Sequence, residues 1–312
     1  MSADLAHLVD QAVRHARPLC GEGTVANYIP ALAAVDPNQI GLAVATLDGA
    51  VHQAGDAETP FSIQSISKVF TLSMVLEQTG EALWEGVGRE PSGTAFNSIV
   101  QLEAEKGIPR NPFINAGAIA VTDRLIGSAT AADTIAAILA FMRERCSDDG
   151  AVIDQIVARS ESDTGARNRS LAHFMAAFGN LTHPVETVLD VYFHQCALAL
   201  SPRQLAQSAL YLANDGRDVC SGRQVLTAER CRRLNAVMMS CGHYDNSGEF
   251  AFRVGLPGKS GVGGGILAVA PGRGVVVAWS PALNAAGTSL AGAAAIEAFT
   301  SAAGWSVFES AC

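Results

Sequence analysis

Gly265-Ile-Leu-Ala-Val-Ala-Pro-Gly-Arg-Gly-Val-Val-Val-Ala-Trp-Ser280 is the stretch from which the architecture can be read. Two apolar, Val-rich runs, 265–270 and 275–280, flank Pro271-Gly272-Arg273-Gly274, a sequence built to turn. The spacing predicts a β-hairpin. A second hairpin stands near the other end of the chain, where residues 40–46 and 51–55 flank Asp48-Gly49. Residues 1–17 place Leu5, Leu8, Val9 and Val13 on one helical face, and residues 289–303 form a helix of small residues. Between the hairpins the signals are helical. Thr130-Ala-Ala-Asp133 reads as a capping box. Residues 184–199 form a helix, and Ser201-Pro202-Arg203-Gln204 starts another that is expected to stop at Gly216. The expected fold class is therefore α/β in the α+β sense. One mostly antiparallel sheet is built from both chain ends, flanked by the terminal helices, with a helical insertion in the middle. The expected division is 1–64 with 241–312 for the sheet part and 65–240 for the helical part, with a cleft between them.

Composition narrows the function classes. The 312 residues carry 21 Lys plus Arg against 30 Asp plus Glu, a net charge of −9. An acidic chain without a basic cluster is poorly suited to nucleic acid or an anionic membrane surface. No apolar run approaches the roughly 20 residues that span a bilayer. Seven scattered cysteines, Cys20, Cys146, Cys196, Cys220, Cys231, Cys241 and Cys312, include no C-x-x-C. They read as free thiols in a reducing, cytoplasmic compartment. No His-Cys-Asp spacing suggests a metal.

The scarcity of lysine is more informative. Only Lys68, Lys106 and Lys259 occur. A lysine kept where arginine does the other cationic work suggests a group that must release its proton, which arginine does not do. Ser65 and Lys68, in Gln64-Ser65-Ile66-Ser67-Lys68, have S-x-x-K spacing and share a helix face. A neutral amine there can take the serine proton and make a nucleophile. Lys259-Ser260-Gly261 opens a glycine-rich segment that runs through Val262 into the 265–270 strand. A strand edge free of bulk lets a carbonyl reach backbone N–H groups, those of Ser65 and Val262, as an oxyanion hole. A nucleotide-loop reading fails because Arg253 stands where the first glycine is required. Tyr244 lies in a polar turn where a phenol could relay a proton. Tyr211 reads as core. Asn115 is flanked by apolar residues and needs partners if buried. Glu161 and Asn168 bracket a stretch that by composition is a solvated loop or a helix start.

Longer runs carry a family resemblance. They are Tyr28-Ile-Pro-Ala-Leu-Ala33, Phe61-Ser-Ile-Gln-Ser-Ile-Ser-Lys-Val-Phe70, Arg110-Asn-Pro-Phe-Ile-Asn-Ala-Gly-Ala-Ile119, Ser160-Glu161, Arg167-Asn168, Leu189-Asp-Val-Tyr-Phe193, Tyr244-Asp-Asn-Ser-Gly-Glu-Phe250 and Val254-Gly-Leu-Pro-Gly-Lys-Ser-Gly-Val262. Together they resemble the bacterial glutaminases, in the serine β-lactamase, transpeptidase and penicillin-binding-protein fold group. The resemblance covers nearly the whole chain and is closest to the short, single-module bacterial form. It implies that Ser65 attacks the side-chain amide of L-glutamine. Lys68 would activate it, with Tyr28 or Tyr244 in the proton network, and Tyr244 would help protonate departing ammonia. Val262 and Ser65 would supply the oxyanion donors. Gln64, Asn115, Glu161, Asn168 and Tyr192 would hold the amino acid. The resemblance further implies no cofactor and a homodimer or homotetramer. A β-lactamase or peptidase and a non-enzymatic glutamine sensor on the same scaffold are the competing readings.

Overall fold

The computed structural model describes residues 4–92 and 98–309. The thiol of Cys312 and residues 1–3 of the predicted first helix lie outside them. In chain order the helices are α1 (Leu5–Ala16), α2 (Ser67–Thr79), α3 (Val100–Ala104), α4 (Asn115–Ile126), α5 (Ala131–Cys146), α6 (Gln155–Thr164), α7 (Ala166–Ala177), α8 (Val185–Cys196), α9 (Pro202–Ser208), α10 (Ala228–Cys241), α11 (Ser247–Arg253) and α12 (Leu290–Ala303). The strands are β1 (Gly41–Thr46), β2 (Val51–Gly55), β3 (Phe61–Ser62), β4 (Val152–Ile153), β5 (Leu198–Leu200), β6 (Gly258–Ser260), β7 (Gly265–Ala270) and β8 (Gly274–Trp279).

Both predicted hairpins form and join. The main sheet has the order β2-β1-β8-β7-β6, antiparallel throughout, with β1 from one end of the chain paired to β8 from the other in the register Val44↔Val276. Side chains alternate across this sheet with period two. Leu42, Val44, Ile266, Ala268, Val276 and Ala278 face α1, α11 and α12, whose Val9, Phe250, Ile296 and Phe299 complete one core. Ala43, Leu267, Val269, Val275 and Val277 face the other way, into a larger core shared with the central helices. The sheet is thus the middle of three layers, buried on both faces. This explains why β7 and β8 read as continuous apolar runs and not as alternating ones.

Four local expectations need correction. The segment after Lys259 does not run on into the 265–270 strand. Residues 258–260 form their own edge strand, β6, and the chain reverses through Gly261–Gly264 before β7. Helix α8 ends at Cys196, and residues 198–200 become β5, which holds β3 and β4 in a second, three-stranded sheet. The helix opened by Ser201 has a complete capping box but ends at Ser208, and a 3₁₀ turn over Leu210–Ala213 follows. At Thr130 only half of the box forms. Its hydroxyl accepts from the Asp133 N–H, but the Asp133 carboxylate takes the Thr130 hydroxyl and leaves the Thr130 N–H alone.

Candidate active site

The small sheet sets the position of Ser65. Pairing of β3 with β5 places Ser62 beside the end of α8, where its hydroxyl donates to the Cys196 carbonyl (3.0 Å) and accepts from the Gln64 amide (3.0 Å). The Ile63 N–H donates to the Leu198 carbonyl. Gln64 then takes a left-handed φ of 50°, rare for a residue with a side chain. A 3₁₀ turn over Gln64–Ile66 runs directly into α2. Ser65 and Lys68 occupy successive turns of this continuous helical stretch, and both are buried.

Lys68 is 1% exposed. Its Nζ donates to the Asn115 Oδ1 (2.7 Å) and the Phe113 carbonyl (3.2 Å). No carboxylate pairs with it among the described residues, and burial lowers its ammonium to about 8. Asn115, the first residue of α4, also donates to the Asn168 Oδ1 at 3.0 Å, which fixes which end of its amide faces the lysine. Tyr244 has a left-handed φ of 55°. Its phenol is turned toward the Ser65 hydroxyl, which lowers its pKa against burial, and its ring centroid lies 5.8 Å from the Lys68 Nζ. Serine and lysine therefore meet at one phenol. Burial raises that phenol well above its ordinary range, so it stays protonated.

Glu161 is the largest departure from the composition-based reading. It is not in a solvated loop. It sits on the inner face of α6 at 7% exposure, and burial lifts its carboxyl to about 7 while the Gln64 side chain and then Lys68 pull it back. Gly165 makes the abrupt passage from α6 to α7, which carries Asn168. A Cβ on Gly165 would lie 2.5 Å from the Phe193 ring. Tyr192 projects from α8 with its ring 6.0 Å from the Lys68 Nζ.

Opposite these helices, the β6–β7 turn lies against the serine. A Cβ on Gly261 would sit 2.5 Å from the Ile63 carbonyl oxygen and 3.4 Å from the Ser65 nitrogen. A Cβ on Gly263 would sit 2.1 Å from the Ser62 carbonyl oxygen. The absence of side chains at these two positions brings Val262 alongside Ser65.

Eight of the ten sequence-predicted residues, Tyr28, Gln64, Ser65, Asn115, Glu161, Asn168, Tyr192 and Val262, line one pocket, with Tyr28 at its rim and 54% exposed. Lys68 and Tyr244 stand behind the serine, outside the lining. Two ionisable members of the lining, Cys196 and Arg167, were not assigned to the site from sequence. Cys196 lines the pocket, and burial pushes its thiol up to about 12. One signal for it was available: four residues after Tyr192 on the same helix, it shares that residue's face. Arg167 also lines the pocket; it stood in the Arg167-Asn168 run that carried the resemblance, without a role of its own.

The fold defines the class. This is a β-lactamase-like chain, in which an antiparallel sheet and a helical layer meet over a serine-and-lysine turn. Residues 23–308 match the sequence profile of the family described as Glutaminase. A glutaminase of Rhizobium rhizogenes is 58% identical over 98% of this chain and 99% of its own length. A thermolabile glutaminase of Rhizobium etli is 56% identical over the same shares. Among solved structures, the probable glutaminase ybaS superposes with a TM-score of 0.94 at 37% identity, covering 99% of this chain and all of that one. A Bacillus subtilis glutaminase in covalent complex with 5-oxo-L-norleucine, formed by reaction with 6-diazo-5-oxo-L-norleucine, superposes with a TM-score of 0.87 at 32% identity, over 97% of this chain and 99% of that one. The chain belongs to the glutaminase family.

Proposed function

We propose that this protein hydrolyses the side-chain amide of L-glutamine to L-glutamate and ammonia through a γ-glutamyl ester on Ser65. One observation carries the mechanism. The two N–H bonds of a neutral Lys68 amine are matched by two acceptors, Phe113 O and Asn115 Oδ1, which leaves its lone pair for a proton. Ser65 Oγ gives that proton to Lys68 as it bonds to the amide carbon. The oxyanion is held by the N–H groups of Ser65 and Val262. The C–N bond then breaks, and the nitrogen leaves as ammonia with the proton returned by way of Tyr244. Water attacks the ester, its proton passing to the same Lys68–Tyr244 pair, and Ser65 is released with glutamate. No step calls for a cofactor or a metal.

The α-ammonium of the substrate sits on Glu161. Its α-carboxylate is received by the neutral donors Asn115, Asn168 and Tyr192, and Gln64 and Tyr28 close the sides. This set suits a free amino acid and offers nothing to a cell-wall peptide. The covalent norleucine complex of the Bacillus subtilis relative supports an attacking nucleophile in such a pocket. We read 1–64 with 241–312 as one unit and 65–240 as the other, with the cleft between them. We also infer a cytoplasmic homodimer or homotetramer. The buried, unbonded Cys146 and Cys231 favour a reducing compartment, and light scattering will give the subunit count. Among the described residues no single helix is long and apolar enough to cross a membrane.

The test is Ser65→Ala. It is expected to abolish ammonia release while glutamine still protects the fold thermally. The unmodified protein, quenched during turnover, is expected to show a species heavier by one glutamyl group at Ser65. Turnover by the alanine variant would remove the nucleophile from this serine.

A further inference from the structure

Lys259 is the second buried lysine, and the mechanism above does not use it. It is fully buried on β6, and its Nζ stands 4.1 Å from the centroid of the Tyr244 ring, on which Lys68 also bears from 5.8 Å. An ammonium has three N–H bonds to satisfy. The hydrogen bond found for Lys259 goes to the adjacent Ser260 carbonyl at 2.7 Å. No carboxylate pairs with it among the described residues. The groups that face it are Lys68 on α2, Tyr244 and His243 from the turn after α10, and the neutral thiol of Cys196 on α8. His243 is stacked on Phe250 at 3.8 Å, and neither of its ring nitrogens accepts a bond. A charged Lys259 would therefore be a buried cation with one hydrogen bond, the face of the Tyr244 ring and no counter-ion, beside another lysine that must become charged during the reaction.

We propose that Lys259 is an uncharged positioning residue: its amine backs the Tyr244 ring and leaves Lys68 as the one group at this wall free to take a positive charge. The inference rests on the glutaminase reading for its catalytic consequence but not for its statement about charge. Burial and then the Lys68 amine hold Lys259 well below the ordinary lysine range, in agreement with the geometry. The consequence is that Lys68 can accept the Ser65 proton without working against a second cation. Tyr244, backed by a neutral amine, remains a donor and is not drawn toward tyrosinate.

Two measurements test this. The chain has only three lysines, so the full protein labelled with ¹⁵N-lysine gives three side-chain signals. Between about pH 6 and pH 9, of the two signals from the buried lysines one is expected to stay neutral throughout and the other to titrate. No neutral signal at pH 7 would overturn the proposal. Kinetically, Lys259→Met is expected to keep kcat within about tenfold, with the acid limb of kcat unmoved. Lys259→Arg, which installs a fixed charge, is expected to lower kcat by about 100-fold or more and to move that limb down by about one pH unit. The reverse order, arginine active and methionine dead, would show a working cation. Equal losses with an unmoved limb in both would show simple packing. Either result overturns the proposal, and if neither variant folds the lysine signals decide it. Ammonia release by the unmodified protein tests the glutaminase reading separately. Its failure would leave the charge of Lys259 to be decided by the spectra.

Discussion

Desolvation moves Glu161 and Lys68 toward one another on the pH scale, the carboxyl up to about 7 and the ammonium down to about 8. Both are active on the proposed mechanism only after losing a proton, Glu161 to hold the substrate ammonium and Lys68 to take the serine proton. The signs therefore agree. kcat/KM is expected to climb with pH through the range from about 7 to 8, with two protons lost at the steepest part. In Glu161→Gln the lower of the two steps disappears, and KM rises by about 10- to 100-fold because a charge-assisted hydrogen bond is gone. Initial rates from pH 5 to pH 10 in both proteins check this. A profile flat across neutrality in the unmodified protein would mean that neither group titrates in the working site.

Gly261 links an element to the chemistry. The β6–β7 turn approaches the Ser65 segment so closely that one methyl group would have to displace the Ile63 carbonyl. Gly261→Ala is expected to cost about 1–3 kcal/mol of stability. It should also lower kcat by about 10- to 100-fold, with KM changed much less, because Val262 moves from the place where negative charge develops. Gly248→Ala, where nothing lies within 4 Å, is the control. Equal kinetics in the two variants would detach this turn from the reaction. The elements that could be read in advance were those with strong local signals, the two hairpins with their turn residues and the capped α9. Strands β3, β4 and β5 escaped because two or three residues show no period, and because Leu198–Leu200 continues the apolar character of α8. The resemblance named Glu161, but composition alone did not turn it inward, because its neighbours Ser160, Ser162 and Asp163 are polar. A helix that turns a single acid inward has the same composition as a solvated one. Ser65 and Lys68 could be paired from spacing alone. Their meeting at Tyr244 depends on long-range packing that no local pattern records.

At the scale of the whole molecule, the helical layer is tied down by Arg145, which is 2% exposed on α5 and reaches Asp218 (7% exposed) at 3.0 Å. The Asp218 carboxylate also accepts from the N–H and hydroxyl of Ser221. Removing Asp218 leaves the buried guanidinium only its second partner, the half-exposed Glu144, and removing Arg145 strands the Asp218 carboxylate in the interior. Arg145→Ala is expected to lose about 3–5 kcal/mol, whereas the paired replacement Arg145→Met with Asp218→Leu recovers most of it. Denaturant unfolding measures both, and an equal loss in the two would mean that the pair is not stabilised as a unit. Activity of the folded fraction should not change, since neither residue lines the pocket.

The antiparallel match of β1 with β8 also orders events during synthesis. The serine leaves the ribosome early, on a segment that can already begin to coil. Val262 emerges only after the helical layer has been translated. A nascent chain interrupted anywhere before that point holds a nucleophile with half an anion site, so it lacks the means of consuming an amide. On the proposed mechanism, competence arrives in a single late step, when the last strands slide in beside the first.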